Sequence, residues 1–204
     1  LCVHIPMRAS GNQNVQAVFE LLKPFAEVHV MSGHTHYAEN NVYDSHYEHV
    51  HGAACGAWWN STINVDGTPN GYAIYNIKGA TITDWVYKGT GLDAQQQIRL
   101  YRANDIFMRD YSKNYQFYYK GDDQIVANVW NADKDWKIEV YENGIKTGEM
   151  THFDYTGNEK DKSWDAWALG YHIGVVGKAE LDSNKKPTSY YQRNVRHLYY
   201  YTLQ

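Results

Sequence analysis

The sequence predicts an α+β, mostly β protein in two parts, residues 1–94 and 95–204. Three observations lead there. Short apolar or alternating runs recur along the whole chain, separated by Gly, Asn, Asp and Pro. A single well-marked helical period, residues 12–23, lies between two strand-like runs near the start. Beyond Ala103, short alternating runs with turn signals between them suggest a small antiparallel β-sandwich.

The first run, Leu1-Cys2-Val3-His4-Ile5-Pro6, is an apolar strand whose tip is a histidine and whose stop is a proline. Val15, Val18, Phe19 and Leu22 then recur at helical spacing, and Pro24 marks the end of that helix. The next strand, Val28 to Ser32, runs into Gly33, His34, Thr35 and His36. A crossover of this length returns the second strand parallel to the first, which puts both carboxyl ends on one sheet edge. His4, His34 and His36 can therefore converge where ligands of such sheets bind. Imidazole suits zinc, manganese or iron, and two imidazoles on one turn need little reordering to meet an ion. A bare H-x-H also describes a solvated loop; three histidines at one edge favour a metal site.

Residues 46–51 alternate and read as a strand carrying His49 and His51 on one face. That face is either a second set of cleft or metal groups or the strand's polar side. Gly52 to Trp59 places small residues before two tryptophans. Trp58 and Trp59 either flank a substrate cleft or fill the core, and on a strand at most one of them would line a pocket. Residues 66–71, Asp-Gly-Thr-Pro-Asn-Gly, are dense in turn formers and predict a surface loop. A hairpin of residues 72–77 and 81–87 should close the first sheet. Gly89-Thr90-Gly91 breaks the pattern, and the strand 97–101 would cross between the two parts.

In the second part, residues 125–130 and 136–141 are strands, and Glu142-Asn143-Gly144 is a hairpin turn into residues 145–150. Residues 157–162 form a charged loop, 164–169 a short helix or an aromatic loop, 184–187 a turn and 195–201 the closing strand. Trp130, Trp136, Trp164 and Trp167 are either core residues or a row that stacks on sugar rings, so this part would bind glycan or act as a structural cap on the first.

The formal charge is −4, with no basic cluster to follow a phosphate backbone, which argues against a nucleic-acid surface. No apolar run approaches membrane-spanning length. The two cysteines, Cys2 and Cys55, read as buried free thiols. Nineteen tyrosines and seven tryptophans in a β-rich chain lean towards a bacterial envelope or secreted protein.

Ser32-Gly33-His34-Thr35-His36 resembles the last metal-binding motif, G-H-x-H, of the calcineurin-like metallophosphoesterases, and Val3-His4-Ile5-Pro6 is similar to their preceding strand-end histidine. Residues 47–59 and 66–72 resemble a subgroup whose catalytic domain is followed by a C-terminal β domain. The resemblance implies that residues 1–94 are the C-terminal portion of a four-layer metallophosphoesterase α/β sandwich. It also implies two divalent ions (Mn, Fe or Zn), with His4 and His34 on one and His36 on the other, and in-line hydrolysis of a phosphate-ester substrate. The family's earlier motifs, D-x-H, G-D-x-x-D and G-N-H-D/E, are not found ahead of Gly33-His34-Thr35-His36, and Asp44, Asp66 and Asp84 stand in other contexts. The expectation is thus a C-terminal piece of a longer enzyme, whose partner is the missing N-terminal half. Three neutral imidazoles would hold at most one ion, weakly, and would turn over little.

Overall fold

In the computed structural model of the chain, which describes residues 1–7, 14–103, 123–153, 164–176 and 194–203, the first sheet is built on parallel pairing. β1 (His29–Ser32), β2 (Glu39–Val42) and β3 (Tyr47–Val50) assemble in the order β1-β3-β2, with β1 parallel and β2 antiparallel to β3. The expected first strand is reduced to one parallel bridge, Cys2 to Met31. Its hydrogen bonds still continue to the tip: Met31 N–H to Leu1 O is 2.8 Å, Val3 N–H to Met31 O 2.9 Å and Gly33 N–H to His4 O 3.1 Å. The connecting helix α1 (Val15–Leu22) is shorter than the period suggests, and residues 12 and 13 lie outside the described residues. Val15, Val18, Phe19 and Leu22 are its half-buried residues, the stripe that the spacing marks.

The predicted hairpin forms as β4 (Gly71–Lys78) and β5 (Thr81–Gly89), turning at Gly79 with φ +66°. It does not extend the first sheet. Among the described residues its strands pair only with each other, and the hairpin lays Tyr75 and Trp85 edge-on against the His49 ring at 5.2 and 5.0 Å. A ribbon set across the strands covers apolar rings that a further strand in the same plane would leave exposed.

The second part is a four-stranded antiparallel sheet. β6 (Ile98–Arg102) and β7 (Gln124–Val129) pair at one side, β8 (Glu139–Glu142) and β9 (Ile145–Glu149) form a separate hairpin, and β10 (Thr151–His152) and β11 (Leu198–Thr202) complete the order β10-β11-β7-β6. β6 is thus an edge strand here, where the sequence suggested a crossing segment. The hairpin turns on Asn143 and Gly144, both at positive φ, the backbone that an Asn-Gly pair supplies. Alternation sorts the sheet's side chains. Tyr101, Val126 and Leu198 face Ala166 on the helix α2 (Ala166–Tyr171), and Ala127, Val129 and Tyr199 face Ile138 and Met150 beside the hairpin. The ambiguous stretch at 164–169 is therefore helical from 166, capped where the Asp165 carboxylate accepts the Ala168 N–H at 2.8 Å. The predicted segments 157–162 and 184–187 lie outside the described residues. No helix among the described residues is long and apolar enough to cross a membrane.

The two parts share side chains. Trp164, just before α2, and Leu169 on it join Tyr37, Val50, Ala57 and Val65 of the first part in one core. A second junction overturns a prediction: residues 66–71 are not a surface loop. Asn64, Asp66 and Thr68 are at most 1% exposed. A turn-rich segment can be buried when its own side chains satisfy its backbone. Thr68 gives its N–H and hydroxyl to Asp66 Oδ1 at 3.2 and 2.8 Å, and Asn64 N–H reaches Thr68 O at 2.8 Å. The remaining groups are met from outside: Asp66 Oδ2 accepts Ala38 N–H at 2.7 Å and His197 Nε2–H at 3.0 Å, Asn128 Nδ2 donates to Asp66 O at 2.7 Å, and Arg99 donates to Gly67 O. Arg99 also lies over the Trp167 ring at 4.0 Å. Burial pushes the Asp165 carboxyl above the usual range, and the Arg99 guanidinium, Asn128 and the Ala168 N–H oppose it.

Candidate functional site

Three parallel segments, residues 1–4, β1 and β3, end at the same sheet edge. They deliver to it His4, the turn 33–36 and the loop 51–59. The third arrival is what the sequence missed, because β3 reads as a strand but its parallel sense is set by its pairing with β1 across the chain.

His34 and His36 both take left-handed backbone, at φ +68° and +56°, on either side of Thr35. The structure brings His34 and His4 together, with His34 Nδ1 at 3.0 Å from His4 Nε2 and the ring centroids 4.7 Å apart. Two nitrogens on one ion at zinc-like distances stand roughly 2.9–3.4 Å apart for right-angle to tetrahedral geometry, so this spacing suits neighbouring ligands of a single ion. His36 is held differently. Its Nδ1–H donates to the Gly56 carbonyl at 2.6 Å, its face stacks on Trp58 at 5.3 Å and its ring meets Trp59 edge-on at 5.4 Å. That leaves Nε2 as the nitrogen with the lone pair, the arrangement in which a backbone carbonyl orients a metal-binding imidazole. Among the described residues no group of three or more His, Cys, Asp or Glu that could hold a metal is formed. The residues present fit part of a site, two nitrogens at one point and a third two residues further along the turn that carries His34. Asp66, buried in the junction between the parts, is not among them.

His49 and His51 occupy packed surroundings where the sequence allowed a cleft or a polar strand face. β3 is the central strand and the β4–β5 ribbon covers it, so His49 is 1% exposed. Its Nε2 meets His29 Nδ1 at 2.8 Å, and His29 Nε2 meets Glu27 at 2.9 Å. Burial, with smaller contributions from His29 and His51, pushes the His49 imidazole down to about 3. His51 gives Nδ1–H to Ser32 O at 2.9 Å and takes the Tyr75 hydroxyl on Nε2 at 2.6 Å, so both its nitrogens are used.

The tryptophans divide against expectation. Trp58 and Trp59, which the sequence left between a cleft and the core, are 52% and 72% exposed and so are not core. They sit in a tight turn, residues 57–60, closed by the Asn60 N–H bond to Ala57 O with left-handed backbone at both tryptophans, and a turn does not send neighbouring side chains to opposite faces as a strand does. Trp130 and Trp164 are buried, Trp167 is half-buried under Arg99, and Trp136 is 40% exposed, so these four do not form a solvent-facing row. Cys2 is exposed and Cys55 half-buried, with its sulfur 4.0 Å from His36 Nδ1, which corrects the expectation of buried thiols.

Residues 48–204 match a family model described as the C terminal of calcineurin-like phosphoesterase. No curated protein and no solved structure matches the chain. The matched segment includes Trp58, Trp59 and the Asp66 junction, and begins after His4, His34 and His36.

Proposed function

The chain belongs to the calcineurin-like phosphoesterases, as a C-terminal part of such an enzyme, and from that premise we propose that it serves a longer polypeptide that hydrolyses phosphate esters at a dinuclear metal site. His4 Nε2 and His34 Nδ1 would take one ion and His36 Nε2 the other. Such ions supply Lewis-acid charge neutralisation at phosphorus. The observation that carries the reading is the 3.0 Å approach of His4 and His34 at the edge that also bears His36.

This chain's own residues act by orientation. The Gly56 carbonyl fixes the His36 tautomer, and the Gly33 N–H bond to His4 O ties the two histidine-bearing segments in register. Three imidazoles bring no negative charge, so the carboxylates that two adjacent cations require would come from the preceding part of the polypeptide. In the full-length protein, His34→Ala and His36→Ala should each remove bound metal and abolish metal-dependent hydrolysis of an aryl phosphate. Activity retained at the wild-type level in either variant rejects the assignment.

Residues 95–204 act in this proposal as a structural cap on the catalytic part. Trp164 and Leu169 in the core of the first part support that role, and the burial of Trp130 and Trp164 weighs against glycan stacking.

A further inference from the structure

Trp58 and Trp59 combine three properties that packing alone does not require. Both indoles are more than half exposed. Both backbones are left-handed, at φ +46° and +59°, which is unfavourable for a bulky residue and doubly so for two in succession. The loop that imposes this is firmly tied: Gly56 N–H bonds Ala53 O at 3.2 Å, Ala57 N–H bonds Ile63 O at 3.0 Å and Asn60 N–H bonds Ala57 O at 3.0 Å. Asn70 Nδ2 fixes Ser61 O at 3.0 Å from the other side, and Gly56, itself at φ +65°, has no room for a Cβ beside Asn70 and Ser61. Relaxing the backbone would turn the indoles away from His36. Held as they are, one stacks on the His36 ring and the other meets its edge, with the two indole centroids 6.4 Å apart at 43°.

We propose that Trp58 and Trp59 form a stacking platform beside His36 that holds the ring of a phosphate ester's leaving group. The inference rests on the phosphoesterase reading and narrows its substrate class to esters of ring-bearing alcohols, whether aryl, nucleoside or sugar. The platform adjoins the imidazole assigned to the metal, so a phosphoryl group near His36 would carry its leaving group over the indoles. Flat faces of aromatic rings and the C–H faces of sugars both gain from an indole surface, whereas a short acyclic alcohol has no face to offer. These are positioning residues, acting on where the substrate lies.

The test uses the full-length protein with phenyl phosphate, glucose 1-phosphate and ethyl phosphate as substrates. The preference for a ring ester over ethyl phosphate, as a ratio of kcat/KM, should fall about tenfold in Trp59→Ala, mostly through KM, and return towards wild type in Trp59→Phe. Which of the first two substrates loses more tells an aryl from a sugar leaving group. An equal loss on all three, with no rescue by Phe, would mean that the indole only supports His36, and would overturn the proposal. Should the wild-type protein cleave none of the esters, the phosphoesterase reading fails first. Phenyl phosphate and methyl glucoside are then titrated while the indole N–H signals are followed by NMR: shifts confined to Trp58 and Trp59 support the platform, and their absence rejects it.

Discussion

Asp66 and His197, 131 positions apart in the chain, meet at 3.0 Å with both side chains almost wholly enclosed, at 2% and 1% exposure. The same carboxylate also accepts Ala38 N–H, Thr68 N–H and the Thr68 hydroxyl. One side chain thus joins the first sheet's loop, its own turn and β11's approach. Removing it strands several buried donors at once. Asp66→Ala should destabilise the fold by about 3–5 kcal/mol, the range for breaking a buried pair. Asp66→Asn, which presents an amide where carboxylate oxygens accept, should also destabilise it, by less. Urea unfolding monitored by tryptophan fluorescence checks both; a loss under about 1 kcal/mol for the alanine variant would show that the junction does not hold the parts together.

Gly67, next in the chain, separates crowding from backbone preference. Its φ is +86°, and a Cβ there would fall 2.6 Å from Asp165 Oδ2 and 2.8 Å from Asn128 Nδ2. Gly79 has φ +66° with open space around it. Gly79→Ala should cost about 1–2 kcal/mol, the left-handed penalty alone. Gly67→Ala should cost clearly more, since it must also displace a buried hydrogen-bonded pair. Equal shifts in thermal midpoint would contradict the packing described.

Acid should weaken this protein through its buried histidines before ordinary exposed carboxylates titrate. Burial pushes His49 down to about 3 and His172 to about 4, below the ordinary 6.5. With folded values depressed, the stability these groups confer is complete above pH 6.5 and is lost as pH falls from there towards 4 and 3. Each costs about 1.4 kcal/mol of stability per pH unit as pH falls through that window, or roughly 2 kcal/mol lost by pH 5. The urea midpoint should therefore drop between pH 7 and pH 5, and His49→Phe should flatten the slope by about one proton. A flat profile over that interval would be incompatible with a buried neutral His49.

Zinc titrated into this chain by calorimetry at neutral pH should bind with a stoichiometry no greater than one and with modest affinity, because among the described residues His4 and His34 are an exposed imidazole pair that converges, whereas His49 of the other pair, His29 and His49, is buried. His4→Ala and His34→Ala should each remove that binding. Unchanged binding in both would place the ion elsewhere.

The strand–helix–strand start was legible because Val15, Val18, Phe19 and Leu22 keep one period, and because that crossover length dictates parallel pairing, which brings His4 beside His34. The turn at Asn143-Gly144 and most strands of the second part were legible for the same kind of local reason. Residues 66–71 were misread, since turn formers mark the surface only when water satisfies their backbone. Here Asn128, Arg99 and His197 take water's place from distant positions.

By itself, then, the sequence determined most of the elements, their local turns and the family resemblance, because backbone preference and apolar spacing act over a few residues. Tertiary structure alone decided that His49 is core, that Trp58 and Trp59 are surface, and that α2 closes the core of both parts. Burial and partner choice depend on which distant segment arrives at a given face, and no window along the chain contains both sides of that contact.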